Sequence, residues 1–99
     1  MNVEKRAQLQ IKIGEAKFAQ IGVARNDAVD AARWLIVAEG GSDPRKSYGS
    51  PRRLEATVRA LAAAVRNDPV LSAELSEFNG GRDLTESWVD TTAEAVDGR

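Results

Sequence analysis

Residues 50–67, SPRRLEATVRALAAAVRN, decide the fold, because start signal, apolar period and stop signal agree there. Ser50 offers an acceptor to the open N–H groups of a first helical turn, and Pro51 suits the first helical position. Leu54, Val58, Leu61, Ala62 and Val65 then recur at helical spacing. Asn67-Asp68-Pro69 closes the segment, since the residue before a proline is pushed out of the helical region. The stretch reads as an amphipathic helix with a basic first turn.

Downstream, Asn67 or Asp68 caps a second, shorter helix over Pro69 to Phe78, with Val70, Leu71, Leu75 and Phe78 as its apolar residues and Asn79-Gly80-Gly81 as its end. Asp83 and Glu86 have the spacing of a capping box, and Leu84, Trp88, Thr92 and Val96 continue at helical intervals beyond them. Upstream, Asn26 or Asp27 is expected to cap a helix in which Val29, Ala32, Leu35 and Ile36 share a face, with Gly40-Gly41 as its end. Trp34 lies off that face, either as a second buried contact or as an interface anchor. Residues 42–49, SDPRKSYG, form a polar connection.

The first 23 residues carry two readings. At heptad spacing Ala7, Ile11, Gly14, Phe18, Ile21, Arg25, Ala28, Ala32 and Leu35 form one stripe of a long helix or of two stacked helices, weakened by glycine and by Arg25. Leu9, Ile13, Ala16 and Val23 fall on the opposite side, so such a helix needs cover on two faces, which a homodimer would supply. The alternative is a β-hairpin at about residues 7–23, because Leu9 to Ile13 alternates and Gly14-Glu15 offers a turn. Helix is preferred: Ala, Lys, Glu and Gln dominate the segment, and no other strand is available to complete a sheet. The expected architecture is therefore a single all-α domain over residues 1–99, a bundle of four or five helices. Its expected core is Ile21, Leu35, Ile36, Leu54, Val58, Leu61, Val65, Leu71, Leu75, Phe78, Leu84 and Trp88.

Composition narrows the chemistry. A chain of 99 residues forms one core that buries roughly 60–65% of the unfolded surface. It has no cysteine and no histidine, which removes thiolate metal sites, disulfides and the commonest general base. No apolar run approaches the roughly 20 residues of a membrane span, and Met1 to Gly14 lacks a signal-peptide block, so a cytoplasmic protein is expected. The mix of glycines with Lys46-Ser47 in residues 40–47 resembles a phosphate loop only superficially. Arg45 replaces the glycine before the lysine, and Pro44 removes an N–H donor. The carboxylates Asp83, Glu86, Asp90, Glu94 and Asp97 step along a helix as its solvent side would, without the spacing of an oxygen-ligand loop. A Ser-Lys pair at Ser47 and Lys46 has nothing to support it. Neither an enzyme, nor a cofactor, nor a metal site is expected.

Charge is the remaining signal, because it is segregated along a chain of net charge −1. Residues 1–25 hold five basic and two acidic groups (+3), and residues 26–43 one and four (−3). Residues 44–66 hold six and one (+5), and residues 67–99 two and eight (−6). One account is helix faces that attract each other within the fold; the other is a charged partner. The basic pole consists of Arg45, Lys46, Tyr48, Arg52 and Arg53, with Arg59 one face further on. The acidic pole consists of Glu74, Glu77, Glu86, Asp90 and Glu94, and Trp34 and Trp88 are the aromatic anchors. These features point to a non-enzymatic interaction protein that covers a surface of a larger protein or nucleoprotein. In build it is like inhibitors that phages direct at host nucleic-acid machinery, an analogy of class alone. The alternative is a small helix-turn-helix-like DNA-binding regulator using the basic loop and helix start, although the connection from Gly40 to Gly49 is long for that motif.

Overall fold

The computed structural model describes residues 3–36 and 52–83 together with Thr85 and Trp88. Four helices account for most of them: α1 (Val3–Lys17), α2 (Arg25–Ala32), α3 (Arg52–Arg66) and α4 (Pro69–Phe78). There is no strand among the described residues, so the all-α expectation holds and the hairpin at residues 7–23 is overturned. Five residues of hairpin edge would leave backbone donors unpaired, whereas a helix satisfies them within the segment.

α1 packs against α2, α2 against α3, and α3 against both α1 and α4. α3 is the centre. Val58, Leu61, Ala62 and Val65 are buried, as its periodicity requires, and Leu54 is half-buried against the same core. Burial of each Leu or Val there contributes about 1.5–3 kcal/mol. Leu35 and Ile36 from the turns after α2, and Leu71 and Leu75 from α4, complete the cluster, with Ile21, Phe78 and Trp88 packed at its edge. Leu84 lies outside the described residues, as do Ser50, Pro51, Gly40 and Gly41.

Two ends are closed by glycine. After Phe78 the N–H of Gly81 donates to the carbonyl of Ser76 at 2.7 Å and that of Gly80 to Glu77 at 3.2 Å, with both glycines at positive φ. This paired bonding satisfies the last carbonyls of α4. The same arrangement ends the turn that follows α1: Val23 donates to Phe18 at 3.1 Å and Gly22, at φ 71°, to Ala19 at 3.3 Å. The chain then enters α2 directly. Its N-cap is Ala24, with no side-chain cap, rather than Asn26 or Asp27. The Gly22 turn has already fixed the entry, so Asp27 sits inside the first turn, where its charge favours the helix dipole. By contrast Asp68 caps α4 as expected, accepting from Val70 N at 3.1 Å and Leu71 N at 3.2 Å. Asp83 likewise accepts from Thr85 N at 3.1 Å and its hydroxyl at 2.6 Å.

The face that α1 buries differs from the heptad reading. Leu9, Ile13 and Gly14 are turned inward, while Ala7 is exposed and Ile11 is 42% exposed. Gly14 is where α2 comes in close. A Cβ built on it would lie 2.6 Å from Val29 Cα and 2.7 Å from Val29 N, so α2 seats its backbone where α1 has no side chain. Gln10 Nε2 reinforces the contact by donating to the Val29 carbonyl at 2.9 Å.

Gly14→Ala therefore sets two effects against each other: a gain of up to about 1 kcal/mol in helix propensity, and overpacking against a backbone that cannot rotate away, about 1–3 kcal/mol or more. The clash is expected to win. Thermal unfolding followed at 222 nm should show a midpoint lowered by at least about 4 °C; an unchanged or raised midpoint would mean that α1 and α2 are not in contact at this position.

Candidate functional site

The seam between α1 and α4 is built by charge. Lys12 Nζ lies 2.6 and 2.9 Å from the two carboxylate oxygens of Glu74, and Lys17 Nζ lies 3.0 Å from Asp68 Oδ2. Residue numbers rise along α1 as they fall along α4, so the helices pass in opposite senses. Beyond Lys12, toward the start of α1, they leave a groove of about 540 Å³ lined by Lys5, Gln8, Leu9, Lys12, Glu74, Glu77 and Phe78. Lys5, Gln8 and Lys12 stand at i, i+3 and i+7 along one wall, and Glu74, Glu77 and Phe78 at i, i+3 and i+4 along the other, each a single helical stripe. Its apolar lining is half-buried Phe78 and the edge of Leu9, 8% exposed. Glu77 is exposed and makes no ion pair among the described residues.

The basic pole is placed differently. Arg52 and Arg53 are exposed in the first turn of α3. Arg53 Nη2 reaches Asp27 Oδ2 on α2 at 3.3 Å, beside a hollow of about 230 Å³ lined by Asp27, Asp30, Arg53, Leu54 and Thr57. The Thr57 hydroxyl donates to the Arg53 carbonyl at 2.9 Å, so it is turned to its own helix. Arg59, grouped with this cluster by sequence, is 8% exposed and forms an ion pair with Glu55 one turn earlier. Its stem shares the covered side of α3 with Val58 and Ala62, and the i,i+4 carboxylate neutralises its head. Arg45, Lys46 and Tyr48 lie outside the described residues.

Of the acidic pole, Glu74 and Glu77 are brought together at the groove, and Glu86, Asp90 and Glu94 lie outside the described residues. Trp34 and Trp88 are both partly buried against the core. The Arg33 guanidinium carbon stands 6.0 Å above the Trp34 ring centroid, at the outer limit of a cation–π contact. No group of three or more acidic, histidine or cysteine side chains among the described residues could hold a metal ion. No helix among them is long and apolar enough to cross a membrane. The groove itself was not visible in the pattern of residues. Its signal was the polar line Lys5, Gln8, Lys12 running beside Leu9, which has meaning only once α4 is known to lie alongside.

The Lys17 ammonium beside Asp68 holds that carboxyl below the usual aspartate range, and the amides of Leu71 and Val70 act in the same direction. A carboxyl whose folded pKa is depressed contributes stability that is present above its unfolded value, about 3.9, and lost as pH falls through the lower folded value. Asp68→Asn keeps an oxygen for the cap but has no proton to gain. Its denaturant midpoint should therefore fall less steeply than that of the parent protein as the pH is lowered from about 5 through the aspartate range. Parallel curves for the two proteins would show that the Lys17 contact has no energetic weight.

No protein-family model, curated protein or solved structure matches this chain.

Proposed function

We propose that the chain is a non-enzymatic interaction protein that covers a surface on a larger protein, docking its acidic helical pole on a basic, nucleic-acid-handling face of that partner. One observation carries the reading: the α1/α4 groove combines an apolar lining with the exposed Glu77 carboxylate, in a segment of net charge −6. Interfaces need such a mixture, because apolar contact supplies affinity and unbalanced charge selects the partner. A protein seated in this way inhibits by occlusion, the mode of action that a small chain without catalytic groups can supply.

The basic pole supports the DNA-regulator reading less well. The hollow next to Arg53 holds Asp27 and Asp30, which repel phosphate. Beyond the first turn, the exposed residues of α3 are Ala56, Ala60 and Arg66, and alanine has no donor or acceptor for a base edge. Seven of the 15 residues of α3 are buried, which leaves little of the helix to enter a groove.

The two readings separate in one pair of experiments. The protein is expected to leave the anisotropy of a labelled DNA duplex unchanged at low salt. In extracts of its source cells it should capture nucleic-acid-binding proteins, with excess duplex competing for them. The Glu74→Lys/Glu77→Lys variant should lose that capture and the Arg52→Glu/Arg53→Glu variant keep it, circular dichroism confirming that both are folded. Direct duplex binding with a steep salt dependence, lost in the Arg52→Glu/Arg53→Glu variant, would overturn the proposal in favour of the regulator.

A further inference from the structure

We infer that the α1/α4 groove is a receptor for one amphipathic helix of the partner protein, with basic residues along the edge that faces α4 and none along the edge that faces α1. This rests on the protein-binding reading above and names the chemistry of its site.

The form of the groove selects a rod. Each wall is one helical stripe, so the depression runs along the two helices, and an extended occupant can lie between Lys5, Gln8 and Lys12 on one side and Glu74, Glu77 and Phe78 on the other. A helix in such a groove anchors through apolar side chains at i, i+3 or i+4 and i+7, and the lining of Leu9 and Phe78 offers them an apolar surface. Charge then sets rotation. Glu77 has no ion pair among the described residues, and Glu74 holds Lys12 through a bridge in which the two side chains are 37% and 54% exposed. Exposed pairs of this kind are weak. A lysine or arginine arriving along the α4 wall gains Glu77 outright and shares Glu74 with Lys12. The same side chain on the opposite edge would meet Lys12 and be repelled. The occupant is therefore basic on one edge only, with serine, glutamine or an acidic residue on the other.

The test uses the full-length protein, labelled with nitrogen-15, and two synthetic helical peptides. Both carry leucine at i and i+4; one has lysine along a single edge, and the other has glutamate at those same positions. The lysine peptide is expected to bind and to shift the amides of Gln8, Leu9, Lys12, Glu77 and Phe78, whereas the glutamate peptide should not bind. Glu77→Lys should weaken the lysine peptide about tenfold, as conversion of one rim attraction into repulsion predicts. Gln8→Trp, which fills the groove from an exposed position, should abolish binding with the thermal midpoint unchanged. Equal affinity for the two peptides would overturn the inference. So would shifts confined to other residues, or a dimer in sedimentation that Gln8→Trp dissociates, which would assign the groove to a second copy. If neither peptide binds while the capture of partner proteins persists, the groove assignment fails alone; if both are lost, the interaction reading falls with it.

Discussion

The fold depends on a missing side chain. Gly14 lets the backbone of α2 settle against α1 at Val29, closer than any residue with a Cβ would allow. That approach seats α2 on the Gln10–Gly14 side of α1, while Leu9 and Ile13, on the neighbouring strip of the helix, face the core. With α1 in place, α2 presents Ala28, Ala31 and Ala32 as a buried surface without bulk, and α3 lies against it. The small residues are a consequence of the distance: helices this close have room for alanine and glycine, and the larger side chains, Leu35, Ile36 and Leu61, fill the space further out. Asn79 then ties the end of α4 to the turn after α2, its buried amide donating to the Leu35 carbonyl at 3.0 Å. A backbone acceptor inside the core is thereby satisfied by a side chain 44 positions away in sequence.

What could be read from the sequence follows from how local its physics is. The α3 periodicity, the Asp68 cap and the Gly80-Gly81 stop are written within single turns of chain, and the structure carries all three. The orientation of α1 is not local. Ile11 and Ile13 lie on nearly opposite sides of a helix, and the pattern within α1 offers no ground for preferring one without knowing where α2 and α3 both lie. A heptad count treats Gly14 as a defect in the stripe, although it is where the backbone of α2 comes in. The start of α2 was misplaced for a related reason. Asn26 and Asp27 have the chemistry of caps, but the Gly22 turn makes extended Ala24 the N-cap and the helix begins at Arg25, and their side chains serve other partners: Arg25 donates to Asn26 Oδ1 at 3.3 Å, and Asp27 pairs with Arg53.

Among the described residues, three ion pairs join segments of opposite sign within the fold. The basic α1 meets the acidic α4 through Lys12–Glu74 and Lys17–Asp68, and the acidic α2 meets the basic start of α3 through Asp27–Arg53. Arg59 is withdrawn altogether, paired with Glu55 on the covered side of α3. Blocks of like charge in a sequence are thus a poor guide to surface potential, because neighbouring elements of opposite sign are brought together as the chain folds. The useful quantity is the charge that internal pairing does not use. Among the described residues at the two poles, that leaves Arg52 in the first turn of α3 and Glu77 in a groove.

Their surroundings then separate those two. An exposed charge is screened by water and contributes little beyond steering. A charge beside an apolar lining is desolvated together with its partner when the groove fills, so the same pair gains strength as water leaves. The exposed Lys12–Glu74 bridge adds a second property. Because it is weak, it does little to oppose an incoming cation, which in the proposed binding could share Glu74 with Lys12. The two walls are held in place through α3, which packs against both α1 and α4, so that sharing the bridge would not disturb the fold.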